Sequence, residues 1–247
     1  MQRARRLASV AVVAALAVAG LSACRSAPST AAYVGGGADI SQDEVDAYYQ
    51  DATAHFDNAA DTKAQDGSTI KAPRLSRQEI LGTLVGLDVL RSFGKANGIT
   101  PQALTADQTD QVAASLSLSP GAKFAPLYAE YQGYLVAAGA KAPAQQVTEA
   151  EVRDIFDRWH TAGMPGNPTF EDWVGQLQQQ DQQLLTARLA LQQELKPVAT
   201  KMDIVVNPRY PSSFSLLSVF DTQGRPVRLL DVPVGDPDEA VPVTDAG

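Results

Sequence analysis

Three copies of one helix-start signal constrain this chain more than any other feature in it. Ser41-Gln42-Asp43-Glu44, Ser76-Arg77-Gln78-Glu79 and Thr148-Glu149-Ala150-Glu151 each place a hydroxyl three residues before a glutamate. In such a capping box the hydroxyl accepts from an orphan N–H of the first turn, and the glutamate reaches back to the cap. An apolar pair brackets each box at staple spacing: Ile40 with Val45, Leu75 with Ile80, Val147 with Val152. Thr105 to Gln108 is a weaker copy. Repeated starts of this kind predict a mainly α chain.

The expected helices follow from these starts. The first runs from Asp43 to about Asn58, and polar Asp61 to Pro73 follows as a loop. The second runs from Arg77 to Asn97 and stops at Gly98. Its apolar residues, from Ile80 to Phe93, cover most of its circumference, which marks a central, buried helix. A short third helix spans about Ala106 to Leu116. The fourth starts at Ser119-Pro120, with proline in the first turn, and ends at Gly139. The fifth runs from Glu149 to about Thr161. The sixth is the longest, about Phe170 to Ala199, with a seam of Phe170, Leu177, Leu184, Leu191 and Val198 at seven-residue spacing. Gln178 to Gln183 reads first as a solvated stretch and otherwise as a peptide-binding or self-associating face, and Pro197 as a kink near the end.

Two short strands flank the helices: Ala32-Tyr33-Val34, closed by Gly35-Gly36-Gly37, and Asp203 to Asn207, stopped by Pro208. A lone strand leaves backbone groups unsatisfied, so the two are expected to pair and tie the start of the domain to its end. Phe214 to Phe220 and Val227 to Val232 read as a small hairpin about Asp221-Thr222-Gln223-Gly224. The stretch from Gly235 onward reads as a disordered acidic tail.

The N-terminus carries an export pattern. Arg3, Arg5 and Arg6 precede an uncharged run from Leu7 to Ala23 and the small-residue ending Leu21-Ser22-Ala23-Cys24. That ending resembles a bacterial lipobox, in which the chain is cut before the cysteine and the thiol carries diacylglycerol. Cys24 is the only cysteine of 247 residues, so lipidation leaves neither a free thiol nor a disulfide. The alternatives are an ordinary signal peptide with an incidental cysteine, or an uncleaved anchor. Against the second, the run is short for a spanning helix of about 20 residues. Removing residues 1–23 leaves 17 basic against 28 acidic side chains, a charge near −11. Such a chain is a poor partner for nucleic acid or anionic lipid, so attachment falls to the acyl chains.

The order of elements resembles the N-terminal domain of SurA-type periplasmic chaperones and PrsA-type foldase lipoproteins. The matching residues are Ala32-Tyr33-Val34-Gly35-Gly36 with Ile40 to Val45, Leu75 to Ile99, and Val147 to Val152. Asp203 to Tyr210 is similar to the end of a subgroup from high-GC Gram-positive bacteria, with Pro211 where glycine typically follows. The resemblance implies a mainly α, orthogonal multi-helix domain. A small two-stranded sheet would pair its start and end, and a largely irregular C-terminal tail would follow. The expected divisions are a signal peptide at 1–23, a tether at 24–31, the helical domain at 32–211 and an extension at 212–247. A parvulin-type isomerase module, inserted before the last long helix in many members, needs about 90 residues. Thr161 to Thr169 provides nine, so no catalytic activity is carried over.

Candidate chemistry is sparse. His55 and His160 are isolated and read as structural, and no cysteine- or histidine-rich spacing predicts a metal. No cofactor fingerprint occurs, and Gly35-Gly36-Gly37 reads as a strand-to-helix turn. Asp43, Glu44, Glu149, Glu151, Glu171 and Asp172 lie where helix dipoles favour carboxylates. Asp88, on an apolar helix, is expected to find a cap, an arginine or the solvent edge. Tyr128, Tyr131 and Tyr134 form a stripe that reads first as core, and otherwise as a groove for unfolded clients. The leading expectation is a membrane-anchored extracytoplasmic lipoprotein that binds unfolded exported proteins without catalysis. An envelope adaptor for one specific partner and a peptidyl-prolyl isomerase-type foldase are the other readings. Cys24→Ser is expected to leave the fold intact and to move the protein from the membrane to the soluble fraction, read by fractionation and circular dichroism.

Overall fold

The computed structural model describes residues 29–35, 39–57, 61–63, 69–143, 147–164 and 166–235. The expected signal peptide, Cys24, Gly36, Gly37 and the acidic stretch from residue 236 lie outside them. The fold is mainly α, with seven helices among the described residues. In chain order the elements are β1 (Thr30–Tyr33), β2 (Ile40–Ser41), α1 (Gln42–Ala54), β3 (Thr62–Lys63), β4 (Thr69–Ile70), α2 (Arg77–Asn97), α3 (Ala106–Ser115), α4 (Phe124–Gly139), α5 (Glu149–Thr161), α6 (Phe170–Gln176), α7 (Gln179–Lys201), β5 (Val205–Val206), β6 (Ser213–Phe220) and β7 (Pro226–Pro233).

The capping boxes form. Ser76, Thr105 and Thr148 each accept from the N–H three residues on, and Glu79, Gln108 and Glu151 return the bond. Thr105, the weaker signal, closes as completely as the others. Ser41 makes the forward half, accepting from Glu44 N–H at 3.0 Å. Helix α2 ends at Gly98, whose φ of 61° suits a residue without Cβ. Ile80, Leu81, Leu84, Val85, Leu87, Val89, Leu90 and Phe93 are all buried, as the all-round apolar pattern requires. Each contributes about 1.5–3 kcal/mol relative to exposure. Around α2 pack α1, α4, α7, β1 and β6.

Strands β1 and β5 pair antiparallel, with Ala32 opposite Val206 and Tyr33 opposite Val205, so the expected tie between start and end is present. Strand β2 adds a third member on the other edge of β1. The Asn-Pro-Arg-Tyr segment locks this sheet. Asn207 Nδ2 donates to Thr30 O at 3.0 Å, and Tyr210 Oη donates to Gln42 Oε1 at 2.6 Å. Strand β1 begins at Thr30 and Ala31 is fully buried, so the folded unit starts before the boundary expected after residue 31.

Two helix boundaries differ from expectation. Helix α1 stops at Ala54 rather than Asn58, and α4 starts at Phe124 rather than Ser119. One tertiary contact explains both. Phe56 bridges Leu118, Asp57 N–H donates to Ser117 O, and Ser119 N–H donates to His55 O. The bridge takes both segments out of helical hydrogen bonding, with Ser117 at φ 56°, so neither helix reaches through them. Helix α4 is instead capped from α1: Asp51 Oδ2 accepts from Lys123 N–H at 2.7 Å.

The expected single helix from Phe170 to Ala199 is two helices. Leu177 is extended, with ψ 117°, and Asp181 accepts from Gln178 N–H to start α7 afresh. The break shifts the helical phase, so the seven-residue seam is not one buried face. Leu191 is buried, yet Leu184 is 43 % exposed. The stripe that faces the core is Leu185, Arg188, Leu189, Leu191, Leu195 and Ala199. Gln178 to Gln183 is exposed throughout, in keeping with a solvated stretch. Pro197 lies inside α7, which continues to Lys201.

The hairpin forms, with Phe214 opposite Val232 and Phe220 opposite Pro226. It is part of the core rather than an extension after residue 211: Phe214 and Val232 are fully buried. Gly86 of α2 makes this possible, because a Cβ there would stand 2.7 Å from the Phe214 ring and 2.8 Å from that of Tyr131. The hairpin tip is pinned too. Lys71 N–H donates to Thr222 O and Arg74 N–H to Gly224 O. Phe214→Ala is therefore expected to cost about 3–5 kcal/mol, read as a lowered urea midpoint. A loss below about 1 kcal/mol would mark the hairpin as an appendage.

Candidate functional site

Where α2, α4, α7 and the β6–β7 hairpin meet, they enclose a cavity of about 220 Å³. Leu75, Leu116, Phe124, Leu216 and Leu217 give it apolar walls. Glu79, Tyr128, Tyr131, Gln132, Arg188, Ser215 and Arg228 give it polar groups. Leu184 lies on its wall and is half exposed.

Each polar group reaches the cavity for a local reason. Glu79 is the return half of the α2 capping box, accepting from Ser76 N–H at 2.8 Å. Burial pushes its carboxyl up, against the hydrogen bonds from Ser76 and the charge of Arg228. Tyr131 is buried and its hydroxyl donates to the Ser215 carbonyl. Burial drives this phenol far above its ordinary range, so it stays a neutral donor. Tyr128 is half-buried and stacks 5.9 Å from Phe124 and 6.1 Å from Tyr131. Arg228 Nη1 donates to Ser213 O and Oγ, both at 3.2 Å. Arg188 is 6 % exposed. Its Nε is buried without a hydrogen-bond partner among the described residues, and burial draws its guanidinium below its ordinary value.

The tyrosine stripe does not form an open groove. Tyr128 and Tyr131 line the cavity, whereas Tyr134 packs over Gly94, whose absent Cβ leaves room for its ring. His55 closes α1, its Nδ1 lying 2.9 Å from Asp51 O. His160, near the end of α5, packs 5.2 Å from Phe156. Asp88 finds an arginine, as expected: Arg91 lies 3.6 Å away and binds Glu130 through two nitrogens. Burial raises the Asp88 carboxyl, with Arg91 opposing. Among the described residues no three His, Cys, Asp or Glu gather as for a metal, and no helix is long and apolar enough to cross a membrane. Cys24 lies outside them.

Sequence reasoning missed Arg188, which the structure makes the most unusual residue of the site. The signal was present: a lone cation inside Leu184-Leu185-Thr186-Ala187-Arg188-Leu189-Ala190-Leu191. Set beside known proteins, the chain matches no family model, no curated protein and no solved structure.

Glu79 gives the cavity a pH signature. Its carboxyl is raised on folding, so its contribution to stability is full below the unfolded value of about 4.5. That contribution is lost as pH rises through the raised folded value. Glu79→Gln keeps the cap acceptor and removes the titration. The urea midpoint of the variant relative to the parent is expected to rise across that window. A constant difference from pH 4 to 8 would show that Glu79 is not desolvated by the fold.

Proposed function

We propose that this chain is a lipid-anchored, non-catalytic binding protein of the extracytoplasmic face of a bacterial membrane, acting on unfolded or exported proteins in the manner of a chaperone. The observation that carries the reading is the distance from the lipobox-like cysteine to the fold. Five residues separate Cys24 from Thr30, where β1 begins. Fully extended, they reach about 17 Å. Lipid on Cys24 would hold the helical domain against the bilayer, and two or more acyl chains suffice without a basic patch.

The order of elements and the β1–β5 closure support a SurA-like relationship, and client binding follows from that relationship. The cavity supplies a place for it, with Tyr128 and Tyr131 as walls, and Leu184 adds exposed apolar surface beside it. A site of this size is smaller than the roughly 300–1,000 Å³ of ordinary ligand pockets. It suits a chain end or one side chain held weakly, not an extended segment. The protein, reconstituted in nanodiscs, is expected to lower the light scattering of several denatured exported proteins at a small molar excess. Unchanged scattering for all of them would overturn the chaperone reading, whatever the outcome for membrane attachment.

A further inference from the structure

Arg188 reverses the usual arrangement of charges in this fold. Arg77, Arg91, Arg153, Arg158 and Arg225 are well exposed, and each faces a carboxylate within 4.0 Å. Arg188 is the buried arginine, and among the described residues it has neither an ion-pair partner nor a hydrogen bond for Nε. A desolvated charge without a partner is costly, and folds ordinarily pair or remove it. Here it is placed at the wall of a cavity instead.

The other lining groups narrow what it can hold. The Tyr131 hydroxyl is spent on the Ser215 carbonyl, and the Ser215 hydroxyl on the carbonyls of Leu217 and Leu230. Arg228 is partly spent on Ser213. Counting Arg188, Arg228 and an ionised Glu79, the lining carries one net positive charge, which balances one negative charge and not two. Asp231 lines a neighbouring opening rather than this cavity. Apart from Thr83, Gln132, Ser218 and the Tyr128 hydroxyl, the remaining walls are leucine and phenylalanine side chains. A guanidinium matches a carboxylate in shape, with two parallel N–H donors for two oxygens.

We propose that the Arg188 cavity is a binding site for a single carboxylate carried on a short apolar body: the free C-terminal end of a protein chain, or a short-chain carboxylic acid. Arg188 holds the carboxylate and the leucine and aromatic walls hold the apolar part. The proposal rests on the binding role given to the cavity above, and is independent of lipid attachment.

The test is calorimetric titration of the full chain in detergent with four probes: acetyl-Ala-Leu with a free carboxyl end, the same peptide as its amide, sodium hexanoate, and inorganic phosphate. The peptide acid is expected to bind at least tenfold more tightly than its amide. Arg188→Met is expected to abolish that difference while unfolding, without ligand, at or above the temperature of the parent. Arg188→Lys, which keeps the charge and loses the fork, is expected to bind with intermediate affinity. Binding of the peptide acid alone assigns a protein C-terminus, and binding of hexanoate alone assigns a free acid; either supports the site. Equal binding of acid and amide, phosphate binding as tight as the carboxylates, or undiminished affinity in Arg188→Met would each overturn it. The acid–amide comparison needs no variant, so a misfolded Arg188→Met leaves the test intact. Carboxylate binding without suppression of aggregation would separate this site from the chaperone reading and leave the site standing.

Discussion

Everything in this fold answers to the burial of α2. A helix that is apolar nearly all round has no face to give to water, so it must be covered from every side. Helices α1, α4 and α7 with strands β1 and β6 supply that cover. The pressure for close approach is visible at two glycines of α2. Gly86 admits the rings of Phe214 and Tyr131, and Gly94 admits that of Tyr134. Tyr131 and Tyr134 of α4 are therefore first of all packing partners of α2, while Tyr128 stacks on Phe124 and Tyr131, so the three do not stand as a stripe on the surface.

Local signals were legible in the sequence and tertiary ones were not. The N-terminal boundaries of α2, α3 and α5 lie where their caps are written, because a cap is a bond between residues three apart. Gly98 ended α2 for a similarly local reason. The ends that sequence misplaced are set by distant residues. Phe56 and Leu118 bridge each other out of helix, and Asp51 caps α4 across 72 positions. The division of the last long helix depends on Asp181, whose role as a cap was hidden inside an unbroken apolar period. The site was less legible still. Tyr128 and Tyr131 could be named from their spacing, but Arg188 acquires its meaning only from what surrounds it. Glu79 could be read as a cap and not as a cavity wall.

The cavity and the cap share Glu79, so the start of α2 and the polar end of the site are coupled. Its carboxylate completes the capping box and feels the charge of Arg228. Tyr131 links the opposite wall to the hairpin through the Ser215 carbonyl. The hairpin thus contributes to core, cavity and capped helix alike, although it follows the segment that closes the helical domain onto its first strand.

That closure also sets an order in time. Thr30 and Asn207, joined by a side-chain bond, are 177 positions apart. The strand made first meets β2 early but must wait for nearly the whole chain before its other partner, β5, exists, and α2 must wait longer still for Phe214. Closing loops of this length is entropically slow. A nascent chain of this sequence therefore carries its central apolar helix incompletely covered until the hairpin has arrived. The face of α2 that Phe214 covers is thus among the last apolar surfaces of the core to be sealed.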